Sequence, residues 1–303
     1  MVSYLDEARV REVLRWDPLI AAMESAVTSF SAGQVIQPVR NMLTIEEGKR
    51  YLGIMPAVTA GAMGLKLVSF YPGNAGTGTP THHGIILLSR PDTGEPLAIL
   101  DGRLITEMRT AAVSAAVTSH FAPQDCRTLA LLGSGVQAAA HLEALSRVRR
   151  FDDIRVWSQT PENAQCFAVR HNIKAMPNVE LAVREADVIV TATNAREPFL
   201  KGAWLKRGVL VNAVGSPRPT WRELDDEVMT AGALVVDSRE AVLTESGDVI
   251  LSKAAIYAEV GEIFGGTKPK PPPGSTIVFK SVGIAVEDIA AAQLVYEAAT
   301  SGA

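Results

Sequence analysis

Two glycines and a small residue mark the point where an apolar strand turns into a helix. Gly133, Gly135 and Ala138 follow the apolar run 128–132, and helical spacing of apolar residues resumes after them. Gly133 permits a tight turn, Gly135 lets the backbone approach a pyrophosphate, and Ala138 lets the helix pack close to the sheet. The free amides and the positive dipole end of that helix favour phosphate. The pattern therefore predicts a dinucleotide-binding turn.

The remaining cofactor contacts are predicted at the ends of neighbouring strands and around the turn itself. The predicted cofactor-binding residues are Thr110, Gly133, Ser134, Gly135, Val136, Gln137, Ser158, Gln159, Thr160, Thr191, Ala192, Thr193 and Val214. About 20 residues past the glycines, where an NAD-specific site has an acidic side chain, this chain has Trp157-Ser158-Gln159-Thr160. No carboxylate there repels a 2′-phosphate, so NADP(H) is favoured. NAD(H) remains an alternative because a dedicated arginine is missing.

Three cations in the first part of the chain are candidates for anion binding. Arg109 follows Thr106 by three residues near the start of the helical run 111–121. We expect Thr106 to cap this helix and Arg109 to project from its positive end, where both would hold a carboxylate. Lys66 lies inside an apolar strand, where a charge is costly unless it is paired. Arg40 is predicted in another strand. Each cation alone is typical of a strand-edge charge or a salt-bridge partner.

The elements that must position these residues follow different patterns before and after about residue 120. The first half has one opening helix at 17–31 and short strand-like runs separated by Gly, Pro and Asn. These runs are 36–45, 51–58, 63–70, 84–89 and 96–100. We predict a mostly antiparallel α+β domain over 1–118, completed by a C-terminal helix at 285–303.

The second half alternates strands with helical patterns. The strands are predicted at 128–132, 154–157, 188–192, 209–213, 234–236 and 277–280. Such alternation requires crossover connections and a parallel sheet. The Pro-rich segment 268–274 is predicted to be a surface loop or hinge. The fold class is therefore α/β, with a Rossmann-type doubly wound parallel sheet over 119–284.

Composition narrows the classes of function. With 303 residues, 47% hydrophobic and 20% charged, the chain is typical of a globular protein of two domains. The net charge of −4 and dispersed Lys and Arg disfavour nucleic acid as a partner. No secretion signal or membrane span is evident, so we expect a cytoplasmic protein with no membrane partner. Cys126 and Cys166 form neither a disulfide framework nor a metal motif, and no metal site is predicted.

A series of short motifs occurs in a familiar order along nearly the whole chain. They are Pro38-Val39-Arg40, Ile54-Met55-Pro56, Gly64-Leu65-Lys66, Tyr71-Pro72-Gly73-Asn74, Thr93-Gly94-Glu95-Pro96-Leu97-Ala98, Asp101-Gly102, Arg109-Thr110-Ala111-Ala112, Gly133-Ser134-Gly135-Val136-Gln137-Ala138 and Arg222-Glu223-Leu224-Asp225. Together they resemble the ornithine cyclodeaminase and mu-crystallin family. The resemblance implies a homodimer whose first domain builds the subunit contact and binds substrate. It also implies that a Rossmann domain supplies nicotinamide and that Arg40, Lys66 and Arg109 surround a substrate carboxylate.

Two departures from the family pattern bear on the reaction. Cyclodeaminases of this type carry a Glu where this chain has Gly53, and an Asp where it has Pro217. That Asp is the base for the amino group of ornithine, and Pro cannot replace it. Ornithine deamination is therefore disfavoured. The segment 213–225 looks closer to the ketimine reductases of the family and to bacterial reductases of cyclic imino acids.

We therefore predict NAD(P)H-dependent reduction of a small cyclic imino acid, with 1-pyrroline-2-carboxylate reduced to L-proline as the leading candidate. Arg40 and Arg109 are predicted to orient the carboxylate. Lys66 is predicted to complete the clamp and relay the proton, so these three are the predicted catalytic residues. His82, a predicted substrate contact, and His83 are the alternative proton donors.

Three other functions remain as alternatives. One is oxidative, an ornithine cyclodeaminase or an L-alanine dehydrogenase. Another is a mu-crystallin-like protein that binds a small ligand in an NADP-dependent manner without turnover. The third is a structural protein with a vestigial site, which the intact set of Arg40, Lys66 and Arg109 disfavours.

Overall fold

The computed structural model describes residues 2–74 and 76–301. The first elements are β1 (Ser3–Leu5), α1 (Glu7–Val13), α2 (Trp16–Ser31), β2 (Asn41–Glu46), β3 (Arg50–Val58), β4 (Met63–Phe70), β5 (His82–Ser89), β6 (Pro96–Asp101) and α3 (Gly102–Phe121). Next come β7 (Thr128–Leu132), α4 (Val136–Val148), β8 (Asp153–Trp157), α5 (Pro161–His171), β9 (Lys174–Ala175), α6 (Val179–Val183), β10 (Val188–Thr191) and β11 (Leu210–Ala213). The last are α7 (Asp226–Thr230), β12 (Ala233–Val236), α8 (Arg239–Glu245), α9 (Gly247–Ser252), β13 (Ile256–Glu259), α10 (Val260–Phe264), β14 (Ile277–Lys280) and α11 (Ala285–Thr300).

The chain forms two compact units, and the first comprises Met1–Arg109 together with Ile284–Ala303. Its sheet has the strand order β1-β6-β5-β4-β3-β2. The pair β1 and β6 is parallel, and the neighbours from β6 to β2 are antiparallel. Helix α11 packs on α2 and on the middle strands of this sheet. Gly64 permits this close packing, because a Cβ there would lie 2.6 Å from Ile289 Cδ1 and from the Leu87 carbonyl oxygen.

The two faces of this first sheet differ sharply in their exposure. On the face covered by α11, Met55, Lys66, Ile86 and Leu100 are paired in one cross-strand row and are buried. The alternate residues of the strands point to the other face, as the period of two requires. That outer face exposes large apolar side chains: Tyr4 (72%), Leu43 (45%), Ile85 (48%) and Leu87 (37%).

The second unit, Thr110–Gly283, contains an eight-stranded sheet with the order β13-β12-β14-β11-β10-β7-β8-β9. Every pairing in it is parallel. The central strands β7, β10, β11 and β14 are almost wholly buried, as expected for a parallel sheet with both faces covered. The predicted α/β class, with one Rossmann-type parallel sheet and one mostly antiparallel sheet, is confirmed.

One predicted strand of the first half differs from the structure. The strand predicted over 36–45 begins only at Asn41, and before it Ile36 forms one isolated bridge with Val58. Pro38 has no N–H to donate to a ladder, so the chain at 37–40 cannot pair regularly. Arg40 therefore precedes β2 rather than lying within it. The two compact units divide inside α3, between Arg109 and Thr110, and the domain boundary at 118 stays a prediction.

The short elements β1, α1, β9 and β13 were not predicted from the sequence. The Pro-rich segment 268–274 contains neither helix nor strand, in agreement with the predicted loop. None of the helices formed by residues 2–74 and 76–301 is both long and apolar enough to cross a bilayer.

Candidate active site

A buried cluster of ion pairs joins the sheet of the first unit to α3 and α11. Lys66 Nζ lies 2.6 Å from Asp288 Oδ2, and Arg109 Nε lies 2.9 Å from Asp288 Oδ1. Arg109 Nη1 also lies 2.5 Å from Glu287 Oε2. Lys66 is 2% exposed and Arg109 4%, and both carboxylates are fully buried. Asp288 thus bridges the two cations through its separate oxygens.

The electrostatics of this cluster depress the basicity of its lysine. Burial lowers the pKa of Lys66, the neighbouring charges of Arg109 and Arg40 lower it further, and Asp288 raises it, with a result of about 8. Burial also lowers the pKa of Arg109, but Asp288 and Glu287 outweigh that effect and raise it. Lys66 is therefore mostly charged near neutral pH, yet it can release a proton there.

Charged side chains of both signs surround Lys66. Arg109 and Arg40 add positive charge near the Lys66 amine, and Asp288 and Glu287 pair with the cations of the cluster. Lys66 and Arg109 are buried, whereas Arg40 is half-buried. Guanidinium and ammonium groups bind carboxylates through charge-assisted hydrogen bonds, so these three cations are candidates for a carboxylate-binding site.

The predicted role of the α3 terminus is wrong. The helix begins at Gly102 rather than near residue 111, and Asp101 Oδ1 accepts from the Leu104 amide at 3.0 Å as its cap. Thr106 lies inside the helix, where its hydroxyl donates to the Gly102 carbonyl at 2.6 Å. Arg109 is about two turns from the helix start, beyond the reach of the terminal dipole. Its charge is balanced by the acids of α11 instead.

The two candidate histidines lie apart from this cluster. His82 is paired with Phe70 in the cross-strand register, whereas Ile86 is the partner of Lys66. Four strand positions therefore separate His82 from the level of Lys66, about 13 Å along the strand. The His82 ring is exposed and stacks on Phe70, with 4.4 Å between centroids. His83 belongs to the opposite, outer face, and the role of either histidine as an alternative proton donor stays a prediction.

The glycine turn of the second unit has the geometry that a bound pyrophosphate needs. Gly133 has φ +122°, and a Cβ there would lie 2.6 Å from the Ala192 carbonyl oxygen, so only glycine fits. Gly135 is the exposed N-cap of α4, and a Cβ there would meet open space. Val136 is 57% exposed, and Gln137 Oε1 is buried without a hydrogen-bond partner among residues 2–74 and 76–301. These features fit a nucleotide cofactor approaching the start of α4.

The segment after β8 carries no acidic side chain. Ser158 is half-buried, while Gln159 and Thr160 are exposed. Thr160 is the N-cap of α5 but makes no side-chain hydrogen bond to the helix. Arg155, the nearest arginine, binds Asp153 at 2.8 Å and the Arg184 carbonyl oxygen at 2.8 Å. The Arg155 guanidinium therefore stabilises the edge of the sheet.

The threonines at the end of β10 hold a carboxylate that sequence analysis did not assign to the site. Glu223 Oε2 accepts from the Thr191 hydroxyl at 2.6 Å and from the Gly215 amide at 3.1 Å. Its Oε1 accepts from the Thr193 amide at 2.7 Å and hydroxyl at 2.6 Å. Val214 is tied to the same edge, since its amide donates to the Thr191 carbonyl at 3.0 Å. The hydroxyls of Thr191 and Thr193 thus fix the edge of the sheet, and their contact with a cofactor stays a prediction.

A second buried ion pair, between Lys280 and Asp248, binds the backbone next to Glu223. Asp248 Oδ1 accepts from the Glu223 and Leu224 amides at 2.9 Å each. Lys280 Nζ lies 2.9 Å from Asp248 Oδ2 and donates to the Gly215 carbonyl at 2.7 Å. Burial raises the pKa of Glu223. With four donors around its two oxygens, Glu223 is nevertheless suited to the ionised form.

The chain is similar to known proteins along its entire length. The model of the ornithine cyclodeaminase/mu-crystallin family matches residues 3–303. The chain belongs to this family. It is 46% identical over 308 residues to the ketimine reductase mu-crystallin of Mus musculus, covering 99% of this chain and 98% of the relative.

Two solved structures of the family have the same fold. One is the Thermococcus litoralis Delta(1)-pyrroline-2-carboxylate reductase in complex with NADH and L-proline. It has a TM-score of 0.94 and 34% identity, covering 100% of this chain and 98% of that one. The other is an archaeal alanine dehydrogenase dimer with bound NAD. It has a TM-score of 0.92 and 31% identity, covering 99% and 97%.

The family positions that depart from the cyclodeaminase pattern have clear surroundings. Gly53 is on the inner face of the first sheet, the face of Lys66, and a Cβ there would lie 2.8 Å from Met42 Sδ. A Glu at 53 would therefore require Met42 to move. Pro217 follows Ser216, a buried residue with φ +50°. Neither position offers an acidic group.

The acids of α11 were missed because their partners are far away in sequence. Arg109 and Asp288 are separated by 179 residues. A signal was nevertheless present, since Glu287 and Asp288 are adjacent acids in a helix that is otherwise rich in apolar residues. Paired acids in such a helix indicate buried cationic partners.

Proposed function

We propose that the chain is an NAD(P)H-dependent imine reductase that converts a small cyclic imino acid, with 1-pyrroline-2-carboxylate as the leading candidate, to the cyclic amino acid. The observation that carries this proposal is the buried cluster in which Asp288 joins Arg109 to a lysine of pKa about 8. Such a cluster binds one carboxylate and provides one proton, which are the two needs of an imino acid substrate. The absence of an acidic base at Gly53 and Pro217 disfavours the oxidation of ornithine.

In this proposal Arg40 and Arg109 orient the substrate carboxylate, and Lys66 donates the proton to the imine nitrogen. The ammonium N–H bond of Lys66 breaks, and the imine lone pair accepts the proton. A donor whose pKa lies near the working pH is effective at this step. The separation of His82 from Lys66 and the outward position of His83 disfavour the histidines as donors.

The second unit would hold the cofactor through the turn at Gly133–Gln137 and the segment at 158–160. Bound NAD(P)H supplies the hydride for the imine carbon. We propose NADP(H) as the preferred form, because no carboxylate in the segment after β8 repels a 2′-phosphate. Thr110, half-buried directly after Arg109 in α3, stays a predicted cofactor contact, as do Ser134, Val136 and Ala192.

We further propose a homodimer in which the first domain, predicted over 1–118 with 285–303, binds substrate and contacts the partner subunit. The outer face of its sheet exposes apolar side chains, including Leu43 on β2 and Ile85 and Leu87 on β5. An apolar face of this kind is typical of a subunit contact. The related alanine dehydrogenase is a dimer. A cytoplasmic location stays a prediction.

The test is a substrate screen that follows the loss of nicotinamide absorbance. Purified protein is mixed with NADPH or NADH and with 1-pyrroline-2-carboxylate or its next larger ring homologue, 1-piperideine-2-carboxylate. We expect reduction of at least one of these imines, with a lower Michaelis constant for NADPH than for NADH. L-Ornithine and L-alanine are tested with NADP⁺ and NAD⁺ in parallel. Proline and ammonia from L-ornithine, or tight imine binding without turnover, would contradict the proposal.

A further inference from the structure

We propose that Asp288 is a positioning residue that keeps the Lys66 amine charged and aligned with Arg109, so that the first turn of α11 is part of the substrate site. This inference rests on the proposed function. The geometry that points to it is the Asp288 carboxylate, which contacts Lys66 with one oxygen and Arg109 with the other. Asp288 Oδ2 lies 2.6 Å from Lys66 Nζ, and Asp288 Oδ1 lies 2.9 Å from Arg109 Nε.

The groups around Lys66 show why its charge depends on Asp288. From α3, Arg109 adds a positive charge, and the Thr106 hydroxyl lies 3.5 Å from Nζ. From the segment before β2, Arg40 adds a second positive charge. From the sheet, the cross-strand partners Met55 and Ile86 are apolar and buried. All of these groups except the hydroxyl disfavour an ammonium.

Helix α11 supplies the negative charge in contact with Lys66, through Asp288. Asp288 raises the pKa of Lys66 through both its charge and its hydrogen bond. Removing that charge would leave a buried amine beside two cations, which favours the neutral form. A neutral Lys66 has no proton to donate to the imine and weakens the attraction for the substrate carboxylate. Asp288 therefore acts on the reaction through Lys66 without touching the reacting atoms.

The adjacent acid provides a matched control. Glu287 is equally buried and pairs with Arg109 Nη1 at 2.5 Å, whereas Asp288 pairs with both Arg109 and Lys66. Both Asp288→Asn and Glu287→Gln remove one buried negative charge from the same helical turn and leave a side chain of similar shape. A merely structural role of this turn would give the two variants the same behaviour.

The decisive measurement is the pH dependence of kcat for imine reduction. The wild-type protein should lose activity as the pH rises and Lys66 loses its proton, and Lys66→Met should remove that limb. Asp288→Asn should move the limb to lower pH by about one unit or more. Glu287→Gln should leave the limb in place and mainly raise the Michaelis constant. An active Asp288→Asn enzyme with the wild-type limb, or equal shifts in both variants, would overturn the inference.

A binding measurement separates this inference from the proposed function. The probe is pyrrole-2-carboxylate, a planar carboxylate without a titrating ring nitrogen in this pH range, with affinity followed by calorimetry. Its affinity should fall with rising pH, and Asp288→Asn should shift that fall to lower pH. If the wild-type protein reduces no imine but Asp288→Asn still shifts the pH dependence of affinity for the probe, the proposed function fails and the role of Asp288 stands. If the pH dependence of affinity is the same in both proteins, the role of Asp288 fails.

A measurement of unfolding stability tests the inference even if the Asp288→Asn variant folds poorly. Removing one partner of a buried ion pair leaves an uncompensated charge, so Asp288→Asn alone should lower the urea midpoint. The double variant Lys66→Met/Asp288→Asn removes both charges and should recover part of that loss. Additive losses in the double variant would show that the two residues do not act on each other and would overturn the inference.

Discussion

A buried histidine of the second unit should make the protein sensitive to moderate acid. His141 lies in α4, the helix that starts at the glycine turn. Its Nδ1 is 2.7 Å from the Gln137 carbonyl oxygen, and its Nε2 is 3.0 Å from the Ser114 hydroxyl on α3. A carbonyl only accepts, so Nδ1 carries the hydrogen and Nε2 accepts from Ser114. The ring is satisfied as neutral imidazole, and burial lowers its pKa to about 4.

The sign and size of the effect follow from that pKa. The unfolded chain binds a proton at His141 below a pKa near 6.5, while the folded chain resists protonation down to about 4. The contribution to stability is therefore complete above pH 6.5 and is lost as the pH falls through 4. The gap between the two values corresponds to about 3 kcal/mol of unfolding free energy.

The assay is urea unfolding of the wild-type protein and of His141→Gln at about pH 7.5 and about pH 4. Many carboxylates also titrate in this range, so only the difference between the two proteins isolates His141. The advantage of the wild type should shrink by about 3 kcal/mol between the two pH values. His83→Gln, which changes an exposed histidine, should show no such change. A pH-independent difference for His141→Gln would refute the reasoning.

Three further substitutions test the site. Ser158→Asp should reverse the preference for NADPH over NADH by charge repulsion, as measured by the two Michaelis constants; an unchanged preference would mean that the ribose is recognised elsewhere. Arg109→Lys retains the charge but loses the planar contact, so kcat/KM for the imine should fall by the equivalent of about 2 kcal/mol, and a wild-type value would exclude Arg109 from the clamp. Gly133→Ala forces a side chain against the Ala192 carbonyl at φ +122°, which should cost about 1–3 kcal/mol of stability and weaken NADPH binding in a calorimetric titration.

Features set by local pattern were predictable from the sequence. The strands β4, β7 and β14 begin and end where their apolar runs do, because a buried strand needs an unbroken or alternating apolar pattern. The glycine turn was predictable for the same reason, since its backbone geometry admits only particular residues. Lys66 was also identifiable, because a charge within an apolar strand demands a partner.

Features set by distant pairing were not predictable in the same way. The start of α3 was placed too late because the helix follows β6 without a loop, so Asp101 ends a strand and caps a helix at once. The partners of Arg109 and of the β10 threonines come from segments more than 30 residues away. No local periodicity encodes such contacts. The positions of Glu223, Glu287 and Asp288 therefore became evident only in the folded chain.

The buried ion pair of the second unit is enclosed by backbone groups. Lys280 Nζ lies 2.9 Å from Asp248 Oδ2 and donates to the Gly215 carbonyl at 2.7 Å. Asp248 Oδ1 accepts from the Glu223 and Leu224 amides. Backbone groups therefore complete the hydrogen bonds of this pair.

The cluster of the first unit is built from side chains instead. Asp288 contacts Lys66 and Arg109 through its two oxygens, and Glu287 contacts Arg109. In the proposed function, Lys66 and Arg109 also bind the substrate carboxylate, so their charges act on a ligand as well as on the fold. The Asp248 pair has no such proposed role, although both clusters join a lysine to an aspartate inside a sheet domain.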